Sequence, residues 1–501
     1  MAQGFFHSWR GLAALGTVSG LLYAAEAVPL VSMRGGAMAI HVAIFPLLFG
    51  VYLVGVWLVL RQPRPGGPSA GRLWSGMLAT ILAFGLLFRV ILLPTPVYLS
   101  SDLYRYLWDG RVQLAGINPY RYPPAAPELA ALRDDHVHPG INRPWARTIY
   151  PPGAQWVFAL AAAVGARTVL AWRSLLLAVE AITVALLLVL LRRLRLAETA
   201  ALVYVWSPLV VFEGVQAGHL DLVMIPFVLL ALLWRQAGAP ARAGVALGLA
   251  VLLKLYPAIL AVAWSAKPAP GPVGPESYRP GEAARPAPSA AESAATRRDG
   301  DQRERWRGIV SWWQSRDWRF AAAVGGTVAL GYAPYVWAIG GGALGFLPEY
   351  FGPAEDHNIG LRALLTWGIG WTSDVARGTM MTVLFLVLLG ALVWLGRAGQ
   401  APALGRTGAA AIGAYLLLVP TAMHPWYVVW MVPFLCLAPS LPWLYFSGAV
   451  SLSYVAFLVW PAPLPAWAWL AQYGPLFGLL AVEAWRSRAR RPSVLVATRT
   501  T

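Results

Sequence analysis

The chain has 501 residues, of which 58% are hydrophobic and only 12% charged, about half the charged share of a soluble domain. Apolar runs long enough to cross a bilayer recur from end to end, which excludes a soluble fold. The net charge of +17 reads as arginines at membrane borders rather than a nucleic-acid surface, and the single cysteine, Cys436, excludes an internal disulfide and a thiolate metal site.

In chain order, apolar segments fall near 11–31, 37–60 and 73–94. Arg10 precedes the first, and another span follows almost at once, so the first reads as a retained helix rather than a cleavable signal. A long non-apolar stretch, 95–152, comes next. Further apolar segments lie near 153–166, 170–191, 199–217, 220–234 and 243–265. After a polar break at 266–317 come 319–340, 376–396, 408–423, 426–440, 442–460 and 466–484. The expected fold is all-α, a polytopic transmembrane helical bundle of about 11–14 membrane segments. Residues 1–265 form an N-terminal transmembrane catalytic module and 318–501 a set of C-terminal transmembrane helices. The segment 266–317 is rich in Pro, Ala, Gly and Arg, with nine Lys/Arg against seven acids. It cannot bury a core and reads as a disordered cytoplasmic linker.

Charge bias assigns the sides. With the N-terminus inside, Arg61, Arg64, Arg72, Arg192, Arg193, Arg195, Arg397, Arg406 and the tail Arg486 to Arg491 also fall inside. This requires 153–166, short for a span, to be a re-entrant or interfacial piece. It also requires 243–265, with Lys254-Leu-Tyr-Pro257 at its middle, to be two half-helices that return to one side. The outside then receives loop 95–152, His219-Leu-Asp221, Glu355-Asp-His-Asn358 and Thr421-Ala-Met-His424. The expectation is a multi-pass plasma-membrane protein whose active face is external.

Asp102 to Leu114 reads as a helix with serines ahead of it. Asp102, Arg105, Tyr106, Asp109 and Gln113 share one face, and Leu103, Leu107 and Leu114 the other, as in an amphipathic helix on a membrane surface. Two readings stand. The helix is structural, with Arg105 and Asp109 paired at i, i+4; or Asp102, at the end of a span, is a general base at the water–lipid boundary. Gly116-Ile-Asn-Pro-Tyr120, Tyr122-Pro-Pro124 and Ile149-Tyr-Pro-Pro152 are fixed turns, whose aromatic side chains either stack on sugar or anchor at the interface. Glu213 lies inside a span, ahead of His219 and Asp221 at its outer end, and an intramembrane carboxylate marks function. Asp356, His357 and Arg362, and His424-Pro-Trp-Tyr427, either grip a phosphate or face lipid headgroups. There is no P-loop, Rossmann glycine fingerprint or zinc-binding cysteine set, so a soluble nucleotide-sugar donor is unsupported.

Ser101-Asp-Leu-Tyr-Arg-Tyr-Leu-Trp-Asp-Gly-Arg111, Gly116 to Tyr120 and Ile149 to Pro152 resemble the first outer loop of polyprenyl-phosphate-mannose-dependent mannosyltransferases, a family of the GT-C membrane glycosyltransferase superfamily. Gly218-His-Leu-Asp221, Lys254 with its following proline, and His424-Pro-Trp-Tyr427 fall in the order that family shows, although Leu220 stands where a polar residue is usual. The resemblance covers roughly 95–435. It implies that Asp102 is the catalytic base. It implies a sugar donor, mannose on a polyprenyl phosphate, and a glycan or glycolipid acceptor whose hydroxyl attacks with inversion. The substrate-binding candidates are Arg105, Tyr106, Asp109, Arg111, Tyr150, His219, Asp221, His357, Arg362, His424 and Tyr427, with His357, Arg362, His424 and Arg111 toward the phosphate. Some superfamily members use a divalent ion. Asp102 and Asp109 are roughly 10 Å apart by helix rise, too far to share one, and no metal or other cofactor is expected. Two alternatives remain: a glycolipid transporter or flippase, and a pentose or aminoarabinose transferase on the same fold.

Overall fold

Where an apolar run carries no break, the chain forms one long helix. The computed structural model describes residues 9–27, 34–61, 68–267, 314–397, 404–418, 421–458 and 463–489. Its first three helices are α1 (Trp9–Ala27), α2 (Arg34–Leu60) and α3 (Pro68–Leu92). The apolar part of α2, Gly36–Leu60, has 25 residues and a mean hydropathy of 2.4. At 1.5 Å per residue it is about 37 Å long, enough for a hydrocarbon core of about 30 Å. Gly16 brings α1 against α3: a Cβ there would stand 2.5 Å from the Phe84 ring.

The loop after α3 holds α4 (Asp102–Leu114) and leads into α5 (Pro152–Ala163), which is too short to span, as expected. Next comes α6 (Val169–Arg193), capped by Thr168, whose hydroxyl accepts from Ala171 N at 3.2 Å, and closed by Arg192 and Arg193. Bilayer interiors tolerate charge only when it is paired. Arg89 of α3 donates to Glu180 of α6 (Nε to Oε2, 2.8 Å) and to the carbonyls of Gly85 and Val205 (2.8 Å each).

The segment expected as one span over 199–217 is broken instead. It folds as α7 (Leu202–Val205) and α8 (Pro208–Val211), followed by a wide helical turn, Phe212–Gln216, with a 58° bend between the halves. Pro208 lacks the N–H that would continue α7, and the Ser207 hydroxyl accepts from Val210 N to start α8. Then come α9 (Asp221–Gln236), α10 (Pro240–Leu253) and α11 (Ala258–Ala263). The expected break falls between the last two, where Lys254 is extended (φ −146°, ψ 136°) and Pro257 opens α11.

The C-terminal helices pack directly on this half. In α12 (Trp318–Ile339), Phe320 and Thr327 meet Gly244 and Gly248 of α10; a Cβ on either glycine would lie 2.5 Å or 2.6 Å from them. This is the small-residue spacing that lets membrane helices touch. The two ends of 266–317 are clipped together: Lys267 N donates to Ser315 O (2.9 Å), Asp317 N to Ser265 O (2.7 Å), and Arg235 pairs with Asp317 (2.7 Å). The linker expected there otherwise lies outside the described residues. The remaining helices are α13 (Leu347–Tyr350), α14 (Leu361–Ile369), α15 (Asp374–Leu395), α16 (Leu404–Leu418), α17 (Val432–Leu437), α18 (Leu441–Ala449), α19 (Val455–Leu458) and α20 (Ala466–Ala489).

The protein is an all-α polytopic membrane bundle. Six helices among the described residues are long and apolar enough to cross a bilayer, or seven if the bent pair counts as one span. That is fewer than the 11–14 expected. Several expected segments are short or interrupted: 426–440 is divided into 3-10 turns and α17, which has Pro433 in its first turn.

Candidate active site

The site begins at the first residue of α4. Ser100 Oγ accepts the Asp102 backbone N–H at 3.3 Å, fixing the helix start. Asn142 Nδ2 donates to Asp102 Oδ1 at 2.6 Å. Among the described residues nothing hydrogen-bonds the other carboxylate oxygen, and the side chain is half-buried. A negative charge is favoured here by the helix N-terminus.

Beyond its first turn α4 differs from the expected surface helix. Its polar face is turned into protein, because residues 141–155 fold back over it. Arg105 (5% exposed) pairs with Asp109 at 2.8 Å and donates to Ala146 O at 3.1 Å. Asp109 (2% exposed) also accepts from Thr148 Oγ1 (2.6 Å) and Gln155 Nε2 (2.9 Å). Arg105 and Asp109, expected to bind substrate, therefore hold the loop to the helix. Gly110 lets α5 close on α4, since a Cβ would stand 2.5 Å from Phe158 O. Arg111 is paired with Asp134 and Leu132 O and is likewise engaged with its own loop. Burial raises the Asp134 carboxyl, but the backbone N–H groups of Val137, His136 and His138 and the Arg111 guanidinium together outweigh it and hold the group below its usual range.

The second wall comes from the two helix breaks. Asp221 opens α9 and is fully buried. Lys254, where α10 ends, reaches it (Nζ to Oδ2, 3.1 Å), and Tyr256 donates its hydroxyl to Oδ1. The Lys254 ammonium also lies 5.4 Å from the centre of the Tyr150 ring. Tyr150 meets Tyr106 edge to face at 5.0 Å. The Asp102 charge is within electrostatic reach of Tyr106, Tyr150, Tyr350 and Arg143. Asp102 and the Asp221–Lys254 pair thus both neighbour Tyr106 and Tyr150.

A stack of rings forms the third wall. His219 lies on Trp426 (4.2 Å), Trp426 on His424 (4.2 Å, 3° between planes), and His424 on His357 (5.2 Å). His219 Nε2 is 3.3 Å from Glu213 Oε2, and Tyr454 donates to Glu213 Oε1 at 2.8 Å. His357 and His424 come together because Met423 N donates to His357 O at 3.0 Å. Burial lowers the proton affinity of His357. Burial pushes His424 well below its ordinary value, and the neighbouring His357, His219, Arg143 and Lys254 push the same way. Both imidazoles are neutral at pH 7. Tyr427 shares a hydrogen bond with Tyr350. Arg362 is not in the wall: it is bound to Asp356 (2.8 Å) and Thr421 O (2.9 Å). Burial raises the Asp356 carboxyl, but Arg377 and Arg362 outweigh it and hold the group below its usual range. Across the rim, Arg143 pairs with Glu355 (Nη2 to Oε2, 2.5 Å), joining the first loop to the 345–358 loop.

The arrangement offers one carboxylate open on one oxygen, one ammonium shared with a buried carboxylate, and flat aromatic surfaces. Such a set has the chemistry to bind a sugar and an anion and to accept a proton. A profile of the alpha-(1->6)-mannopyranosyltransferase N-terminal domain, the MptA_B family, matches residues 6–267, just over half of the chain. The chain belongs to this mannosyltransferase family. No curated protein and no solved structure matches it. The transferase is thus a membrane glycosyltransferase of the GT-C type, acting on a sugar donor and an acceptor. The matched region contains Asp102, His219, Asp221 and Lys254, while the ring stack's His357, His424 and Trp426 come from beyond it.

Of the residues expected from sequence, Asp102, Tyr106, Tyr150, His219, Asp221, His357, His424 and Tyr427 come together. Arg105, Asp109, Arg111 and Arg362 are engaged elsewhere. Sequence reasoning gave no role to Lys254, Tyr256, Asn142, Arg143 or Trp426. Lys254 and Tyr256 lie in the break at Lys254-Leu-Tyr-Pro257 and Trp426 in His424-Pro-Trp-Tyr427, while Asn142 and Arg143 carried no local signal. No three His, Cys, Asp or Glu side chains among the described residues gather at metal-binding spacing.

Proposed function

We propose that the transferase moves mannose from a polyprenyl phosphate to a hydroxyl of a glycan or glycolipid at the outer face of the plasma membrane, with inversion and with Asp102 as base. The acceptor O–H gives its proton to the open oxygen of Asp102 as its oxygen attacks the anomeric carbon. The bond from that carbon to the phosphate oxygen breaks, and the polyprenyl phosphate leaves with the electron pair. The observation that carries this reading is that the half-buried Asp102 and the Lys254 ammonium both neighbour the Tyr150 ring. A base and an anion clamp on opposite sides of a sugar are what in-line displacement of a phosphate needs. Lys254 and Arg143 hold the phosphate in this reading, replacing Arg111 and Arg362. His357 and His424, neutral at pH 7, serve as hydrogen-bonding and stacking surface. The family makes an alpha linkage, so inversion requires a beta-linked donor. A lipid-borne donor also suits a chain with no nucleotide-binding motif and a site at the end of an apolar bundle. Arginines at the opposite helix ends support the outward orientation.

The purified transferase is supplied with beta-linked polyprenyl-phosphate-mannose, or with GDP-mannose, and a mannosyl acceptor. The expected product is alpha-linked by NMR and appears with the lipid donor alone, at a rate EDTA does not change. Transfer from GDP-mannose without the lipid, or a beta-linked product, overturns the reading. Single cysteines placed by Ser101→Cys and Ser293→Cys report sidedness, and labelling of both from one side refutes it.

A further inference from the structure

The turn that holds the base is strained. Asn142, which donates to Asp102 Oδ1 at 2.6 Å, is followed by Arg143 at a φ of +48°. A residue with a long side chain rarely adopts that backbone, and Pro144 after it narrows the choice further. Such a conformation persists only where its surroundings over-determine it. Downstream the turn is anchored through main chain: Ala146 N donates to Arg143 O at 3.0 Å, and Ala125 N to Pro144 O at 2.8 Å. The Arg143 side chain supplies the other anchor. Among the described residues it hydrogen-bonds only Glu355, Nε to Oε1 at 3.0 Å and Nη2 to Oε2 at 2.5 Å. A two-point pair of this kind sets the orientation of the guanidinium as well as its position.

Glu355 is the fixed partner of the two. Its side chain is 8% exposed, against 44% for that of Arg143. It ends a 3-10 turn, Pro353–Glu355, that is tied to the C-terminal helices. Glu355 N donates to Gly352 O at 3.2 Å, and Arg377 Nη2 of α15 reaches the same carbonyl at 3.1 Å. The next residue, Asp356, is bound by Arg362 of α14 and by Arg377, at 2.8 Å each. A carboxylate presented by two helices thus grips an arginine on a strained loop. An ion pair with one exposed partner adds little stability, so the weight of this contact is geometric.

We infer that Glu355 is a positioning residue for the transfer: by gripping Arg143 it holds the strained turn, and the turn holds Asn142 on Asp102. Glu355 acts through these two residues and not on the reacting atoms. With Oδ1 fixed by Asn142, the open oxygen of Asp102 keeps the direction in which it takes the acceptor proton. Misplacement of a catalytic group by a fraction of an ångström is enough to slow a reaction, so a contact that adds little stability still governs rate. Asp102, Asn142 and Arg143 lie in the family-matched region 6–267 and Glu355 beyond it, so the C-terminal helices complete the alignment of the base. The inference rests on Asp102 being the base proposed above; the hold of Glu355 on the Asn142 turn does not.

The test uses full-length protein in detergent and the variants Glu355→Gln, Glu355→Asp, Asn142→Ala and the double variant Glu355→Gln, Asn142→Ala. Hydrogen–deuterium exchange over residues 141–147 is expected to quicken about fivefold in Glu355→Gln, which loses the charge and one acceptor oxygen, with Glu355→Asp between it and wild type. At saturating donor and acceptor, Glu355→Gln and Asn142→Ala each lower kcat about tenfold. The double variant falls no more than about threefold below Asn142→Ala, because both changes act on one oxygen of Asp102. A merely structural role multiplies the two losses to about a hundredfold and overturns the inference. So does an unchanged kcat in Glu355→Gln, or exchange over 141–147 that stays at the wild-type rate. If Glu355→Gln does not fold, the same measurements on Glu355→Asp, alone and with Asn142→Ala, decide in the same way. If wild type transfers from neither donor, the function proposed above fails, while the exchange rates still decide whether Glu355 holds the turn.

Discussion

Asp102→Asn removes a charge and a proton acceptor while keeping shape. The structure says how little else changes. Asn142 Nδ2 donates to Oδ1 at 2.6 Å, and an asparagine oxygen accepts the same bond. The Asp102 N–H bond to Ser100 is main-chain and survives. What stability loses is one charge at a helix N-terminus, about 0.3–1 kcal/mol. Catalysis loses the base, which contributes roughly 10²–10⁴-fold, or about 2.7–5.4 kcal/mol of barrier. The expected variant is therefore folded, with its detergent melting temperature a few degrees below wild type. Its kcat falls at least 100-fold, and its donor KM is little changed because Lys254 is untouched. The assay is transfer of labelled mannose from polyprenyl-phosphate-mannose under saturating acceptor. Retention of more than a tenth of wild-type kcat refutes Asp102 as base. Asn142→Ala separates positioning from chemistry: it leaves the carboxylate but frees its rotation, so kcat falls less than in Asp102→Asn.

Lys254→Met leaves Asp221 charged and fully buried, which costs about 3–5 kcal/mol. The double variant Lys254→Met, Asp221→Asn regains most of that stability but not the donor affinity; a melt and a donor KM on both proteins check this. Arg89→Met strands Glu180 between α3 and α6 at a similar cost, whereas Arg89→Leu with Glu180→Leu is near neutral, as a double-mutant cycle on thermal unfolding measures. Gly345→Ala puts a Cβ 1.7 Å from Thr148 O at a φ of +55°, so the two rim loops part; the melting temperature drops and acceptor and donor KM both rise. His424 is held neutral in the folded chain, so the unfolded chain binds its proton first as pH falls below about 6.5. That contribution to stability is present above this value and lost below it, by up to about 1.4 kcal/mol per pH unit. His424→Gln flattens the acid side of the stability curve, and a melt at pH 5 and pH 7.5 on both proteins detects it.

Sequence reasoning read the bundle and α4 because both rest on local signals, apolar length for the first and helical phase for the second. It misjudged the α4 surroundings for the same reason. The phase shows that Arg105 and Asp109 share a face, and says nothing about Thr148 and Gln155, about 40 residues on, which turn that face inward. The stack of His219, Trp426, His424 and His357 was less legible still. Each ring alone is indistinguishable from an interfacial aromatic, and the stack draws its rings from three segments, His219 meeting Trp426 across more than 200 residues. One signal connects the two levels. The backbone leaves regular helix at Phe212–Leu220 and at Lys254–Pro257, and both departures deliver side chains to the site: Glu213 and His219 from one, Lys254 and Tyr256 from the other. In a bilayer an irregular segment exposes carbonyls and N–H groups that lipid cannot satisfy, so it persists only where protein buries it or it lines a wet cavity. A lysine followed by a proline inside an apolar run therefore marks backbone that protein or a wet cavity must cover. Lys254 reaches Asp221 and the Tyr150 ring from such a break rather than from a regular helix.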